Sequence, residues 1–423
     1  MRQDHEIRRT SYPSAGTEPW AARSAAVATG SWKLAVDLVV ADLHAGSPPD
    51  RAPDLLFVFA SDRWSDHFGE MLADLRRRTG ATTMIGGSAS GVLADHLEHE
   101  CVPALSCLAL WLPGVIADLL RLHQESLPLL DVPETWHATT GVDPDQARGV
   151  ILLADPFRMD AHLLVRGMSR CYPNTPIVGG MTSGANHDRR TWTFLDEQVY
   201  DEGGVALVLT GPVRLTPMVS QGCEPVGEPW TITRADRNTI LEISNRPALD
   251  VLLDTARAVG ASIDRESLPF GDWMIGFAID EYRDRFDRGD FVIRGMLGGD
   301  MERKGIVVGG VPRVGQTVQF QMRDPGMAGV DLHQHLVDLR AALTDTPPVA
   351  GLLFTCNGRG KKLFGRQHHD TESVGGVFRS LPLAGMFCNG EIGPGGRREG
   401  SLLHGFTATL AMIVPDKAPA TNT

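Results

Sequence analysis

The order of elements in the first half of the chain occurs twice, and this repetition constrains the fold more than any other feature. Leu55-Leu-Phe-Val-Phe-Ala60 and Val150-Ile-Leu-Leu-Ala154 are short apolar runs, followed by Ser-Asp and Asp-Pro respectively. Short, apolar and bounded by turn residues, each reads as a buried strand. Each leads into a stretch with helical spacing, Phe68, Met71, Leu72 and Leu75 in the first and Leu163, Leu164 and Met168 in the second. A glycine motif comes next: Met84-Ile-Gly-Gly-Ser-Ala-Ser-Gly91 aligns with Val178-Gly-Gly-Met-Thr-Ser-Gly184. Gly86 and Gly179 are 93 residues apart, and the strand ends Ala60 and Ala154 are 94 apart. A polar turn and a further apolar strand close each unit, Leu105 to Leu112 and Val205 to Leu209.

A strand that ends in paired glycines lets the backbone approach something closely. That something is either a ligand or the other repeat across a pseudo-twofold axis. Ser88, Ser90, Thr182 and Ser183 add hydroxyl donors and acceptors where the backbone is bare, which favours binding. The motif is not a dinucleotide fingerprint, since no GxGxxG follows a strand, nor a P-loop, since no GK[ST] follows. It is not a nucleophile elbow either, because Ser90 stands where the last glycine of GxSxG belongs.

The second half repeats the grammar with other elements between. Pro229 to Thr233, Trp273 to Ile279, Phe291 to Arg294, Gly305 to Val308 and Thr317 to Arg323 read as strands. Asn245-Arg246-Pro247 signals the start of a helix over Ala248 to Val259, and Leu332, Leu336, Leu339 and Leu343 stripe a second over Asp331 to Leu343. Two strands then break into glycine loops, Ala350-Gly-Leu-Leu-Phe-Thr-Cys-Asn-Gly-Arg-Gly360 and Leu383-Ala-Gly-Met-Phe-Cys-Asn-Gly-Glu-Ile-Gly-Pro394, and His404 to Ile413 is the last strand.

With 42% hydrophobic and 22% charged residues, the 423-residue chain has the means to bury a sizeable core. Its net charge of −12, with no Lys/Arg block, opposes nucleic-acid binding. No apolar run of about 18 residues spans a membrane. Six cysteines without a CxxC are too sparse for a disulfide scaffold and fit a reducing cytoplasm. Residues 1–49 are expected to be a disordered tail, with no apolar core for a secretory signal, and residues 414–423 a second tail. Arg and Ser enrichment near the start suggests a transit peptide, against which Asp4, Glu6 and Glu18 count.

Over residues 50 to 413 the chain resembles the FIST family. The resemblance rests on Phe59-Ala60-Ser61 and Ile85-Gly-Gly-Ser-Ala-Ser-Gly91 in the first half. In the second half it rests on Cys356-Asn-Gly-Arg-Gly360, Leu363-Phe-Gly365, Gly390-Glu-Ile-Gly-Pro394 and a closing strand carrying Thr407. It implies a FIST N-terminal domain over 50–215 and a FIST C-terminal domain over 216–413. It further implies a sensory module for a small molecule such as an amino acid, with haem in some members. Met386-Phe-Cys-Asn389 departs from the Tyr- or Phe-rich lead that the family often shows there. Lacking an output domain, the chain is expected to stand alone and to signal through a separate protein partner. The expected architecture is α+β, two duplicated lobes of mixed or antiparallel sheets with helices on the outer faces.

The ligand-binding residues expected on this reading are Ser88, Ser90, Ser183, Asn357, Arg359 and Glu391. Arg359 suits a carboxylate and Glu391 an ammonium, which together fit an amino-acid zwitterion; alternatively they fasten the two loops to each other. Asn357 also serves as a turn residue before glycine. Cys356 as the nucleophile of a small-amide hydrolase requires a base, with His368 or His369 the nearest in sequence, whereas a thiol in an apolar strand reads as core. For a metal, His333 and His335 do not share a helix face and the adjacent His368 and His369 are equally poor as a pair, whereas His96 and His99, three apart, have a better spacing if their turn is helical but read as part of a solvated hairpin. The run Asp284 to Asp290 reads as a solvated loop.

Overall fold

The computed structural model of the chain describes residues 7–12, 19–45, 48, 51–132, 134–135, 140–185, 187–261, 270–395 and 400–416. The chain adopts the α+β class with mixed sheets, and the repeat has a third copy. Each copy supplies an entry strand, a central strand, a helix, a glycine strand, a hairpin and a return strand. In the first these are Ala21–Ala28, Leu55–Ser61, Phe68–Thr79, Thr83–Ala89, the hairpin Gly91–Ala94 with Leu97–Glu100, and Ala104–Trp111. In the second they are Ile116–Leu122, Ala147–Ala154, Ala161–Cys171, Ile177–Met181, Thr193–Leu195 with Gln198–Tyr200, and Gly204–Thr210. In the third they are Val213–Gln221, Ala350–Cys356, His369–Val377, Leu383–Cys388, Glu391–Pro394 with Ser401–His404, and Thr407–Pro415.

Three sheets share one strand order: entry, return, central, glycine, hairpin. The hairpin, however, always comes from another copy. That of the second copy pairs with Thr83–Ala89, that of the third with Ile177–Met181, and that of the first with Leu383–Cys388. The two halves of the chain are thus joined through continuous sheets. The expected division at 215/216 falls inside the strand Val213–Gln221.

Central and glycine strands pair in parallel, with Val58 opposite Gly86, Leu152 opposite Gly179 and Leu353 opposite Gly385. A Cβ on these glycines would sit 1.7, 1.9 and 1.8 Å from the main-chain oxygens of Val58, Leu152 and Leu353. This close approach, and not a ligand, accounts for the first glycine of each motif.

The central strands are apolar on both faces because both are covered. Phe57, Phe59, Ile151, Leu153, Leu352 and Phe354 meet in a core shared by the three sheets. Their neighbours Leu56 and Val58, Leu152, and Leu353 pack outward on helices. Phe59 and Phe354 meet edge to face at 6.1 Å, which ties the first sheet to the third.

Between its entry strand and the helix Pro325–Ala342, which precedes the central strand, the third copy carries an insertion, Cys223 to Arg323. Cys223–Asp236 pairs with Thr317–Arg323 through its first half and with Thr239–Ile243 through its second, so the inserted sheet closes on itself as a small barrel. Its core takes Leu249, Leu252, Leu253 and Ala256 of the helix Ala248–Ala258.

Two sequence expectations are corrected. Residues 1–49 are not a tail: Ile7–Ser11 pairs with Ile116–Leu122, Ala21–Ala28 pairs with Ala104–Trp111, and Trp32–His44 is a helix capped by Ser31. The strand is built mainly of alanines, which carry little strand signal but fit under a closely packed helix. At the other end, the strand Thr407–Pro415 runs past the expected start of the second tail, and Val414 is buried. Residues 1–6, 13–18, 46–47, 49 and 417–423 of these segments lie outside the described residues.

Candidate functional site

The glycine strands end together. With Gly86, Gly179 and Gly385 in equivalent places, Ser90, Ser183 and Asn389 are also equivalent, each followed by a glycine. These three side chains, with Asn357 from the end of the third central strand, form one hydrogen-bonded cluster. Ser183 Oγ accepts from the Ser90 amide at 2.9 Å and donates to the Phe387 carbonyl. Ser90 Oγ donates to Asn357 Oδ1. Asn357 Nδ2 donates to Asn389 Oδ1 at 2.7 Å, and Asn389 Nδ2 donates to the Thr182 carbonyl at 3.2 Å. Ser88 is a brace beneath, donating to the Ser183 carbonyl and accepting from the Trp192 amide, both at 3.0 Å.

Four of the six expected residues, Ser88, Ser90, Ser183 and Asn357, therefore come together from three distant parts of the chain. Ser88 and Ser183 are fully buried, Ser90 and Asn357 half-buried, and Asn389 exposed. The accessible face thus offers amide and hydroxyl groups without a formal charge. Asn389 was not among the expected residues. Its signal was the match of Cys-Asn-Gly to Ala-Ser-Gly and Thr-Ser-Gly, visible only once the third copy is aligned.

Arg359 and Glu391 do not form the expected zwitterion clamp, nor do they bond to each other. Arg359 is 1% exposed and holds Asp370 with two donors, Nε to Oδ2 at 2.8 Å and Nη2 to Oδ1 at 2.9 Å. Burial pushes Asp370 up, but the guanidinium outweighs it and holds the carboxyl well below the usual carboxylate range. Glu98, on the hairpin lent by the first copy, accepts from the Asp370 and Thr371 amides, at 2.9 and 3.0 Å. Burial and the nearby Asp370 charge push it up to about 7. Glu391 is fully buried; Oε2 accepts from the Thr407 amide and hydroxyl, Oε1 has no partner, and burial raises it to about 8. A group so enclosed, and held by its own strand neighbours, is not displayed to a ligand.

Cys356 does not meet the conditions for a nucleophile. Burial, reinforced by the Glu391 charge, pushes the thiol up to about 12, and its sulfur accepts from the Gly358 amide. His368 Nδ1 accepts from the Glu98 amide, and His369 Nδ1 lies 2.9 Å from Asp370 Oδ1, so both imidazoles are engaged elsewhere. Among the described residues no group of three or more His, Cys, Asp or Glu is placed to hold a metal ion. The buried imidazole of His404 turns Nε2 toward the carbonyls of Gly393 and Pro394, an arrangement that does not suit axial ligation of haem. No helix among the described residues is long and apolar enough to cross a membrane, which says nothing of a β-barrel.

The cyanuric acid hydrolase from A. caulinodans aligns over 94% of this chain and 100% of its own, but at a TM-score of 0.32 and 10% identity, too remote to carry an argument. The uncharacterized protein MT0656 of Mycobacterium tuberculosis is 36% identical over 367 residues, covering 86% of this chain and 91% of that protein. The uncharacterized protein Mb0898c of Mycobacterium bovis is 36% identical over 371 residues, covering 86% and 92%. The FIST N domain model matches residues 54–246 and the FIST C domain model residues 248–394. With both of its domains matched in order along the chain, this protein belongs to the FIST family, whose domains generally bind small ligands in signal transduction.

Proposed function

We propose that this chain is a sensor without catalysis of its own, whose small polar ligand binds over Ser90, Asn357 and Asn389 where the three repeats meet. The observation that carries the reading is the convergence itself. Equivalent loops from three copies place accessible amides and a hydroxyl on a scaffold of strand ends, with buried Ser88 and Ser183 locking them from below. Rigid strand ends hold such groups better than free loops do. Ser90, Asn357 and Asn389 are themselves uncharged, which favours a ligand recognised by hydrogen bonds, amino acids and their amides included, held without the Arg359–Glu391 clamp. A hydrolase at this centre would need a base on a hydroxyl or thiol. Here Ser90 donates to an amide oxygen, and Cys356 is held as a neutral thiol.

A bound ligand that bridges the three strand ends would change the face seen by a separate signalling protein, which is how a chain of this kind would report binding. All six cysteines are free, which supports a cytoplasmic site of action.

The test is a thermal-shift screen of the intact protein against the amino acids, their amides and a small metabolite set, beside Asn389→Ala. A true ligand at about 100 times its Kd stabilises by about 2.7 kcal/mol, a shift of a few degrees. A hit that vanishes in the variant supports the site. A hit that survives unchanged in Asn389→Ala places the ligand elsewhere and removes this proposal.

A further inference from the structure

A separate hollow opens between the second repeat and the inserted barrel. Its floor is the edge strand Ser401–His404, one wall the helix Ala161–Cys171, and the other wall the barrel strands Trp273–Ala278 and Phe291–Asp300. The main cavity measures about 680 Å³. An adjoining one of about 530 Å³ shares Asp160, His162, Arg166 and Leu402 with it. Each volume falls in the range of about 300–1,000 Å³ of ordinary small-molecule sites.

The charge is opposite to that of the chain as a whole. Arg166, Arg170, Arg294 and Arg313 line the two hollows, and among the described lining residues Asp160 is the one carboxylate, on a protein of net charge −12. Asp160 is already engaged as the helix cap, accepting from the Leu163 amide at 2.9 Å, and Arg313 pairs with Glu281 at 3.0 Å on the rim. Arg294 is different. Nη1 donates to the Ile293 carbonyl at 2.9 Å and Nη2 to the Leu403 carbonyl at 3.0 Å, so it bonds only to main-chain oxygens. Burial lowers it to about 10, the more distant Glu391 charge offsetting only part, and it stays protonated at neutral pH. His162 registers the same field: burial first, then the Arg294 charge, hold it below its ordinary value. A partly buried guanidinium that lines a cavity and bonds no carboxylate is a charge able to take an anion. Beside it Phe277, Val292, Leu402 and Leu403 supply an apolar surface.

We propose that this cleft is a second binding site, for a small organic anion whose carboxylate or phosphate meets Arg294 and Arg166 while its apolar body lies on Phe277, Val292 and Leu403. The site is independent of the polar centre formed by the three repeats. Because the cleft is walled by the inserted barrel on one side and the second repeat on the other, an anion bound there bridges the two.

The test is calorimetric titration of the full chain with hexanoate, phenyl phosphate, inorganic phosphate and hexylamine, repeated on Arg166→Glu and Arg294→Gln. Arg166 is exposed on its helix, so the first variant keeps the fold even if the second disturbs barrel docking. The expected result is binding of hexanoate or phenyl phosphate, the better of the two naming the head group. That binding should weaken about tenfold or more in Arg166→Glu, fall steeply at about 0.5 M salt, and persist in Asn389→Ala. Hexylamine binding as well as hexanoate would overturn the assigned sign of charge, and inorganic phosphate binding as tightly as phenyl phosphate would overturn the apolar body. Failure of every anion, or binding indifferent to Arg166→Glu, would overturn the site, whatever becomes of the polar centre.

Discussion

Arg359 and Asp370 form a two-pronged ion pair between side chains that are each only 1% exposed. Thr355 Oγ1 and His369 Nδ1 complete the shell around the carboxylate, at 2.8 and 2.9 Å. Breaking such a pair leaves a buried charge without compensation, which costs roughly 3–5 kcal/mol. Arg359→Met should therefore destabilise the protein by about that much in urea unfolding. The double variant Arg359→Met/Asp370→Leu should recover a large part of the loss. If Arg359→Met instead leaves stability unchanged and removes ligand binding, the side chain belongs to a binding site and not to the frame.

The glycines facing Val58, Leu152 and Leu353 permit no side chain. Gly86→Ala, Gly179→Ala and Gly385→Ala each place a methyl group under 2 Å from a main-chain oxygen of the neighbouring strand. Each substitution should destabilise by roughly 3 kcal/mol or more, an effect of strain in a fixed backbone. Gly376, with open space around its Cβ position on the helix His369–Val377, serves as the control, and Gly376→Ala should be neutral or stabilising. Circular dichroism and melting temperature distinguish the two groups.

Glu391 makes stability fall with rising pH. Its carboxyl is raised from 4.5 to about 8 in the folded state, so between those values the folded chain binds a proton that the unfolded chain releases. The contribution is fully present below about 4.5 and is lost as pH rises through about 8, with a slope approaching ~1.4 kcal/mol per pH unit inside the window. Glu98, raised to about 7, acts in the same direction. Glu391→Gln keeps the shape and removes the titration, so its stability should be flatter across that window than that of the unmodified chain. Parallel pH profiles for the two proteins would show that Glu391 is ionised in the fold.

The six thiols should separate sharply in reactivity. Cys101 is exposed, in a left-handed turn at φ 56°, while burial raises Cys107, Cys171, Cys223, Cys356 and Cys388. A thiol-specific reagent should label Cys101 rapidly in the native protein, the half-buried Cys356 far more slowly because its thiol is held neutral, and the four buried thiols only on denaturation. Rapid labelling of Cys356, identified by peptide mapping, would revive the nucleophile reading.

The sequence carried much of the strand inventory because strands covered on both faces are apolar runs with sharp ends. Leu55–Ser61, Ala147–Ala154 and Ala350–Cys356 are legible on that ground. The helix Pro325–Ala342 starts six residues before the expected Asp331; Asp324, accepting from the Met327 amide, and Pro325 set that start. The expected single strand from His404 to Ile413 breaks at Phe406, which takes a left-handed φ of 62°. Pairing was the hard part. Nothing local in Glu98 says that its carboxylate caps the backbone of Asp370 and Thr371, roughly 270 residues away. Asp370, only eleven positions after Arg359, escaped notice as its partner because Glu391 was the acid inside the recognised motifs.

The exchange of hairpins also dictates the order in which the molecule can be completed. Leu93 finds its ladder partner Gly385 about 290 residues later, an interval of tens of seconds at ordinary rates of synthesis. Throughout that time the hairpin Gly91–Glu100 has no sheet to join, and as an unpaired edge it is open to the wrong neighbour. The third glycine strand and, just after it, the third hairpin are the last partners to emerge, and their arrival closes the ring of loans. A chain wired in this way has no half that is whole by itself. Its assembly depends on whatever shields the early strands until the final hundred residues are made.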